Sequence, residues 1–429
     1  MKILHYTLGF QPSRTGGLVK YAEDLMNQQV ESGYEVIALY PGRIKFFSYD
    51  LVIKSTKSRG FDCYELINSL PLAIFGGFTE PDSFMKKCDK RVYYNFLKKI
   101  NPDIIHVHSL MGIHKEFFES AHELGIKIFF TSHDYYGLAP VPNFFFNGVD
   151  YSENNTNISW NIMSSNALSV KKLRFFQVPF YPTIRRVLKG LRKNLKSKRS
   201  IEVSKKTELV NYRDIRSYYN EIFNLIDAYL FNSSIARNVY IKNGVLPQTE
   251  AIIPISNSNI RKRNVHRRKR NKSVIAYIGP DEDYKGYFDF IDFVNDIDKE
   301  NYEVKTYGHL PNRECPAYIQ QNGYFSKKNI DTIYSDIDIL IVPSKWKETF
   351  GLITIEALSY GVKVFVSENV GSKDLLSKSY VFRDKQDLLY KIQSTDYEEQ
   401  VINTMKEHMI EVKKFYERII NEYKKIENS

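Results

Sequence analysis

Pro343-Ser344-Lys345-Trp346-Lys347-Glu348-Thr349-Phe350-Gly351-Leu352-Ile353-Thr354-Ile355-Glu356-Ala357-Leu358 follows the apolar run Ile337 to Val342 and leads into a helix reaching Tyr360. The run reads as a strand, so Glu348 falls in a strand-to-helix loop and Glu356 about two turns further on, inside the helix. At the carboxyl end of a parallel strand, such a loop is where open α/β sheets bind ligands. The backbone N–H groups of Phe350, Gly351 and Leu352 would face an anion there, and the helix dipole would favour a diphosphate.

Outward from this segment the same alternation recurs. Towards the C-terminus, Val362 to Val366 reads as the next strand. Upstream come strand Val274 to Ile278, helix Tyr287 to Val294, strand Val304 to Tyr307 and helix Ile330 to Ser335. Further back lie strand Lys2 to Tyr6, a turn with Gly16-Gly17, a helical period through Tyr21, Leu25 and Gln28, and strand Glu35 to Tyr40. Then come Ile104 to His108, helix Ile113 to Leu124, Ile126 to Thr131, Ala228 to Asn232, helix Ser234 to Lys242 and Glu250 to Pro254. Strands alternating with helices predict parallel sheets wound on both faces. Between Arg261 and Lys272 eight of twelve residues are Lys or Arg, which marks a linker. The expected organisation is an N-terminal domain over 1–260, a basic linker over 261–272, a C-terminal domain over 273–400 and a closing helix over 401–429 that crosses back.

A chain of 429 residues exceeds one ordinary core, and two domains imply a cleft between them. The longest apolar stretch, Leu70 to Phe78, is far short of the roughly 20 residues that span a bilayer, and the start of the chain lacks a signal-peptide pattern. A cytoplasmic location is expected. Cys63, Cys88 and Cys315 are widely spaced, so neither a disulfide framework nor a thiolate metal site is encoded. The formal charge of +11 calls for an anionic partner, either a phosphorylated substrate, a membrane surface or nucleic acid.

Taken with these markers, the Glu348 to Glu356 string resembles the E-x7-E signature of retaining glycosyltransferases of the glycogen-synthase-like family 4, the group 1 glycosyltransferases. The other markers are Gly16-Gly17, Gly33-Tyr34-Glu35-Val36, Pro102 to His108, Thr131-Ser132-His133-Asp134-Tyr135-Tyr136, Tyr277-Ile278-Gly279, Lys285-Gly286 and Gly361. The resemblance implies an α/β fold of two Rossmann-like domains facing across a cleft, the GT-B architecture, with acceptors bound by the first domain and a nucleotide sugar by the second. It implies that Glu348 contacts donor-sugar hydroxyls, that Glu356 holds the ribose, and that the amides of Phe350, Gly351 and Leu352 meet the phosphates. Lys285 would offset charge on the departing nucleotide diphosphate. His133 would lie beside the reacting centre, with Asp134 as an orienting partner, and Gly16 and Gly17 would let backbone approach the donor or acceptor. His106 and His108 are read as structural or supporting. The family's usual arginine after Gly279 is replaced by Pro280, so either Lys285 suffices or a cation of the Arg261 to Lys272 run reaches in.

Asp336-Ile337-Asp338 has the form of a metal-binding D-x-D, but it opens a strand at the end away from the cleft; no metal and no cofactor is expected. Within a basic insertion near 165–220, Ile184, Val187, Leu188, Leu191 and Leu195 form one stripe beside Arg185, Arg186, Lys189, Arg192 and Lys193. Such a helix suits either an anionic membrane surface or a core-facing position. No nucleic-acid motif accompanies it. The expectation is therefore a retaining, metal-independent transferase at the inner face of a membrane, moving sugar from a nucleotide sugar to a polyprenyl-diphosphate-linked glycan. The alternatives are a soluble or protein acceptor, another nucleotide-sugar enzyme such as an epimerase or phosphorylase, or a non-catalytic partner of another transferase.

Overall fold

The computed structural model describes residues 1–45, 50–73, 76–177, 209–263, 270–312, 314–396, 398–400 and 402–427. The basic stripe predicted over 184–195 and the middle of the basic linker lie outside the described residues.

Two α/β units carry the chain, each a Rossmann-like sheet. The first is built from β1 (Lys2–Tyr6), β2 (Glu35–Pro41), β3 (Val52–Ser55), β4 (Asp62–Ile67), β5 (Ile104–Val107) and β6 (Lys127–Thr131). A small hairpin of β7 (Phe145–Phe146) and β8 (Val149–Asp150) stands apart, and β9 (Ala228–Phe231) and β10 (Thr249–Ile252) complete the sheet in the order β10-β9-β6-β5-β1-β2-β4-β3. Every pair in it is parallel except β3 with β4. The second sheet runs β13-β12-β11-β14-β15-β16, parallel throughout, from β11 (Ser273–Ile278), β12 (Tyr302–Tyr307), β13 (Ile319–Gln321), β14 (Ile339–Val342), β15 (Lys363–Ser367) and β16 (Val381–Phe382). Central strands β5, β9 and β14 are buried along their whole length, as helices on both faces require.

Strand order locates the sites. The first sheet reverses direction between β1 and β5, the second between β11 and β14, and the crevice at such a reversal is open for a ligand. The loops leaving these strands carry Gly16-Gly17, Lys285 and Glu348, and the loop after β6 carries His133.

The long helix Met405–Glu427 returns to the first sheet. Val412, Phe415, Tyr416 and Ile419 pack with Ile3, Ile104, Phe129 and Leu230. Met405 and Met409 join a core that draws Tyr21 and Leu25 from the first unit and Phe350 and Ile355 from the second. Residues 402–404 precede this helix as irregular chain, so the closing segment is one helix beginning later than the Tyr397 expected for helix formers.

β14 also starts two residues later than its apolar pattern suggests. Asp338 turns its carboxylate to the Val274 amide at 2.8 Å, while Asp336 ends the preceding helix and is held by Arg270 and Lys305. Both aspartates thus sit at the amino end of β14, away from the crevice. Among the described cations of the basic run, Arg263 stacks on Tyr360, Arg270 holds Asp336, Lys262 pairs with Glu399 and Lys272 donates to the Lys299 carbonyl, so these four are engaged away from the loop where the arginine is replaced by Pro280.

Burial pushes the imidazoles of His5 and His408 from 6.5 down to about 4 and that of His114 to about 3. The unfolded chain therefore binds protons that the folded chain refuses. Stability is fully present above pH 6.5 and is lost as pH falls towards 4. Asp134, raised by burial to about 6, opposes this below pH 6, but one carboxyl stands against several histidines. The melting temperature should fall steadily between pH 7 and pH 5 in a low-salt buffer series; an unchanged value at pH 5 would contradict the burial of these rings.

Candidate active site

The site is assembled on a tight backbone contact. After β11 the chain makes a single 3-10 turn, Asp283–Lys285, closed by Gly286 in the left-handed region at φ +72°. A Cβ on Gly286 would lie 1.8 Å from the Pro343 carbonyl oxygen, so only glycine lets this turn rest on the end of β14. The turn is clamped further by the Lys345 amide, which donates to the Tyr284 carbonyl at 3.0 Å.

Lys285 and Glu348 consequently meet. The ammonium donates to Glu348 Oε1 at 2.6 Å, and the Ser344 hydroxyl donates to the other carboxylate oxygen. Glu348 is buried, its amide donates to the Asn369 carbonyl at 2.8 Å, and the Trp346 indole lies 5.3 Å from the Lys285 ammonium. Gly351 is left-handed at φ +89°, and a Cβ there would press on Val370 at 2.8 Å. Behind it the helix Leu352–Leu358 has only 7 residues, shorter than the stretch to Tyr360 that its pattern suggests, so its dipole is correspondingly small. Phe350 turns its ring into the core shared by both units, and Glu356 accepts the Tyr334 hydroxyl at 3.1 Å.

Across the crevice, His133 is tied to the same loop through its backbone, whose carbonyl accepts the Thr349 hydroxyl at 2.9 Å. The Tyr135 hydroxyl donates to the Lys347 carbonyl at 2.7 Å, and the Ser233 hydroxyl to the Thr349 carbonyl at 2.6 Å. A Cβ on Gly17 would stand 3.3 Å from the Leu352 side chain, while Gly16, at φ +127°, borders open space. The structure thus brings Gly17, His133, Lys285, Glu348 and the Phe350 to Leu352 backbone together, with Glu356 one layer behind on its helix.

Sequence reasoning misjudged the partner of His133. Asp134 does not orient that ring: its carboxylate accepts the Tyr136 amide at 2.9 Å. The His133 ring meets His108 instead, at 3.4 Å between Nε2 and Nδ1, with the Tyr21 ring tilted against it at 4.7 Å between centroids. Burial and the nearby His408 push the His133 imidazole down to about 3, so it is neutral at physiological pH. Trp346, Ser344, Thr349 and Tyr135 also serve the site, and their only sequence signal is position within the loops that carry Glu348 and His133. His5, His106 and His108 have ligand atoms within 4.8 Å of one another, but each of their ring nitrogens already has a hydrogen-bond partner.

Residues 258–425 match the family model described as glycosyl transferases group 1, and residues 15–193 match the one described as glycosyltransferase family 4. An uncharacterised 42.6 kDa protein in the cps region of Klebsiella pneumoniae is 22% identical, over 72% of this chain and 71% of that one. A 41.2 kDa protein of the same region is 34% identical over 26% of this chain, and the match spans about a third, 32%, of that relative's length. Among solved structures, a glycosyltransferase from Rickettsia africae superposes with TM-score 0.57 at 12% identity, covering 98% of both chains. An Anabaena protein in complex with UDP and glucose gives 0.52 at 11% identity and 99% of both.

The Gly286 contact is testable. Gly286→Ala should destabilise the protein by more than about 2 kcal/mol in urea denaturation, since strain adds to a collision with backbone. Gly361→Ala has a similar φ of +68° but faces open space, and should cost only about 1 kcal/mol. Equal losses would show that the Pro343 contact is not what requires glycine.

Proposed function

This chain belongs to the group 1 glycosyltransferases, and from that premise we propose that it transfers a sugar with retention, without a divalent metal, to a lipid-linked glycan in surface polysaccharide synthesis. The observation that carries the reading is the Lys285–Glu348 pair at the second sheet's reversal point, facing the His133 loop across the crevice. A ligand able to part this pair must bring hydroxyls for the carboxylate and anionic oxygen for the ammonium. A sugar linked to a diphosphate brings both.

In this mechanism Lys285 moves from Glu348 to the diphosphate and stabilises the charge that builds as the glycosidic bond breaks. Glu348, kept in place by Ser344 and the Asn369 carbonyl, takes the released sugar hydroxyls. Glu356, at the end of its hydrogen bond to Tyr334, takes the ribose. The acceptor hydroxyl attacks from the face that the nucleotide leaves, with the neutral His133 beside the donor sugar. Gly16 and Gly17 leave room for backbone to approach the substrates.

The two cps-region relatives support a role in polysaccharide synthesis. No helix among the described residues is long and apolar enough to cross a membrane. Membrane contact, if the acceptor is lipid-linked, then falls to the surface. Ile158 and Ile162, a turn apart on the helix Asn157–Met163, are exposed, as is Leu209; the adjoining Val210 hydrogen-bonds Asn157 and Asn161. They flank the basic stretch of the chain, and each Lys or Arg near an anionic surface contributes on the order of 1 kcal/mol.

Hydrolysis of a panel of nucleotide sugars, followed by mass spectrometry, identifies the donor. With that donor and a chelator present, Glu348→Ala and His133→Ala should each lower turnover at least about a hundredfold in folded protein. Full turnover in either variant removes that residue from the mechanism, and loss of wild-type activity in the chelator overturns metal independence. Wild type should co-sediment with anionic vesicles at low salt and dissociate at high salt. A variant with Arg185, Arg186, Lys189, Arg192 and Lys193 changed to Gln should not. Equal binding by the two would favour a soluble acceptor.

A further inference from the structure

We propose that a pocket on the first unit, whose lining shares no residue with the crevice site, binds a sugar acid and holds its carboxylate between Arg213 and Arg216. That the sugar acid belongs to a glycan rests on the transferase reading; the pocket itself does not.

The pocket encloses about 380 Å³, within the roughly 300 to 1,000 Å³ of small-molecule sites. One side of it is the helix Arg213–Asn224, on which Arg213, Arg216, Ser217 and Asn220 fall at i, i+3, i+4 and i+7 and so share a face. Leu138 and Phe223 contribute apolar surface, and Asn155 and Asn243 complete the frame. The Asn155 amide donates to the Leu138 carbonyl at 2.9 Å and to the Asn243 side chain at 2.7 Å, while its oxygen accepts the Trp160 indole N–H at 2.6 Å. The Asn243 amide donates to the Ser152 and Val239 carbonyls at 3.1 and 2.8 Å. Both side chains are thus spent on structure, and recognition is left to the helix face.

That face holds positive charge without a counter-charge. Arg216 Nη2 donates to the Asn155 carbonyl at 2.9 Å, and its guanidinium lies 5.8 Å from the Trp160 ring. Neither contact is anionic. Burial lowers the pKa of this half-buried guanidinium, and among the described residues no carboxylate offsets the effect. Asp214 is turned about 100° round the helix from Arg213, and Glu221 is taken by Lys115 at 2.6 Å. Like charges adjacent on one helix face destabilise the helix, and an anion shared between them reverses the effect. The planar guanidinium fork matches a carboxylate in two-point contact.

The remaining donors point to a ring bearing hydroxyls. Asn220 has no side-chain partner among the described residues, and Asn211, also in the lining, uses only its oxygen, which accepts the Arg213 amide at 2.9 Å. Free phosphate would engage the arginines and leave these amides and the Leu138 and Phe223 surface to water. A sugar acid engages all of them. Gly137 of the lining is four residues from His133, so at most about 14 Å separates the two, and a short glycan can touch both.

The test is 15N NMR titration of the full chain with D-glucuronate, D-glucose and inorganic phosphate. Glucuronate should bind saturably, with glucose and phosphate each at least about tenfold weaker. Arg213 is exposed and without a side-chain partner among the described residues, so Arg213→Gln should fold as wild type and weaken glucuronate about tenfold. Arg216→Lys keeps the charge, loses the fork and should weaken it by a similar factor. A glucuronosyl disaccharide that binds more tightly than glucuronate supports the site as one for a glycan unit; equal affinities support it as one for a free sugar acid. No saturable glucuronate binding, phosphate bound as tightly, or unchanged affinity in either arginine variant overturns the proposal. Binding lost in Lys285→Ala but kept in Arg213→Gln also overturns it, because the sugar acid then sits in the crevice. None of these measurements uses turnover, so they stand whether or not Glu348→Ala lowers it.

Discussion

An apolar core joins the two halves of this molecule, and the site depends on it. Tyr21 and Leu25 from the first unit, Phe350 and Ile355 from the second, and Met405 and Met409 from the closing helix pack as one cluster. Burying these groups together contributes favourable free energy roughly in proportion to the apolar area removed from water, with no demand on direction. Direction comes from polar contacts at the rim of the cluster. Thr349 to His133, Tyr135 to Lys347 and Ser233 to Thr349 each join a side chain to a backbone group of the other half, so the loop bearing Glu348 is held in register with the loop bearing His133.

Inside that frame, charge is arranged with economy. The nearly buried Glu348 has its carboxylate satisfied by an ammonium and a hydroxyl, which a carboxylate taken out of water requires. The same pairing neutralises the crevice before a ligand arrives. On the histidine side the design is opposite: the rings are buried without counter-charge and are therefore neutral, hydrogen-bonded to one another and to tyrosines. One wall of the site is ionic and the other is polar but uncharged. That asymmetry suits a substrate with an anionic leaving group on one side and sugar hydroxyls on the other.

Much of this was legible in the residues. Alternating strands and helices predicted two wound sheets, and every strand proposed in the first hundred and thirty residues was found within a few positions. Boundaries slipped where a polar residue was diverted to a local partner. Asp338 bonds the Val274 amide and so delays β14, and residues 402–404 stay irregular while Asn403 donates to the Pro254 carbonyl. Gly286 announced itself as a glycine after a lysine, but not the reason for it, since the Pro343 oxygen it rests on belongs to a strand far along the chain.

By itself, then, the sequence determined the fold class, the loops that carry chemistry and the candidates Lys285, Glu348 and His133, because strand period, helix period and short motifs are local properties. Only the tertiary structure decided who partners whom. That Lys285 meets Glu348, that His108 and not the adjacent Asp134 meets the His133 ring, that Tyr416 reaches His106 and that His408 reaches Tyr21 depend on strand order and on where the last helix docks. Hydrogen bonds reach about 3 Å, and separation along the chain says nothing about that distance until the sheets are assembled.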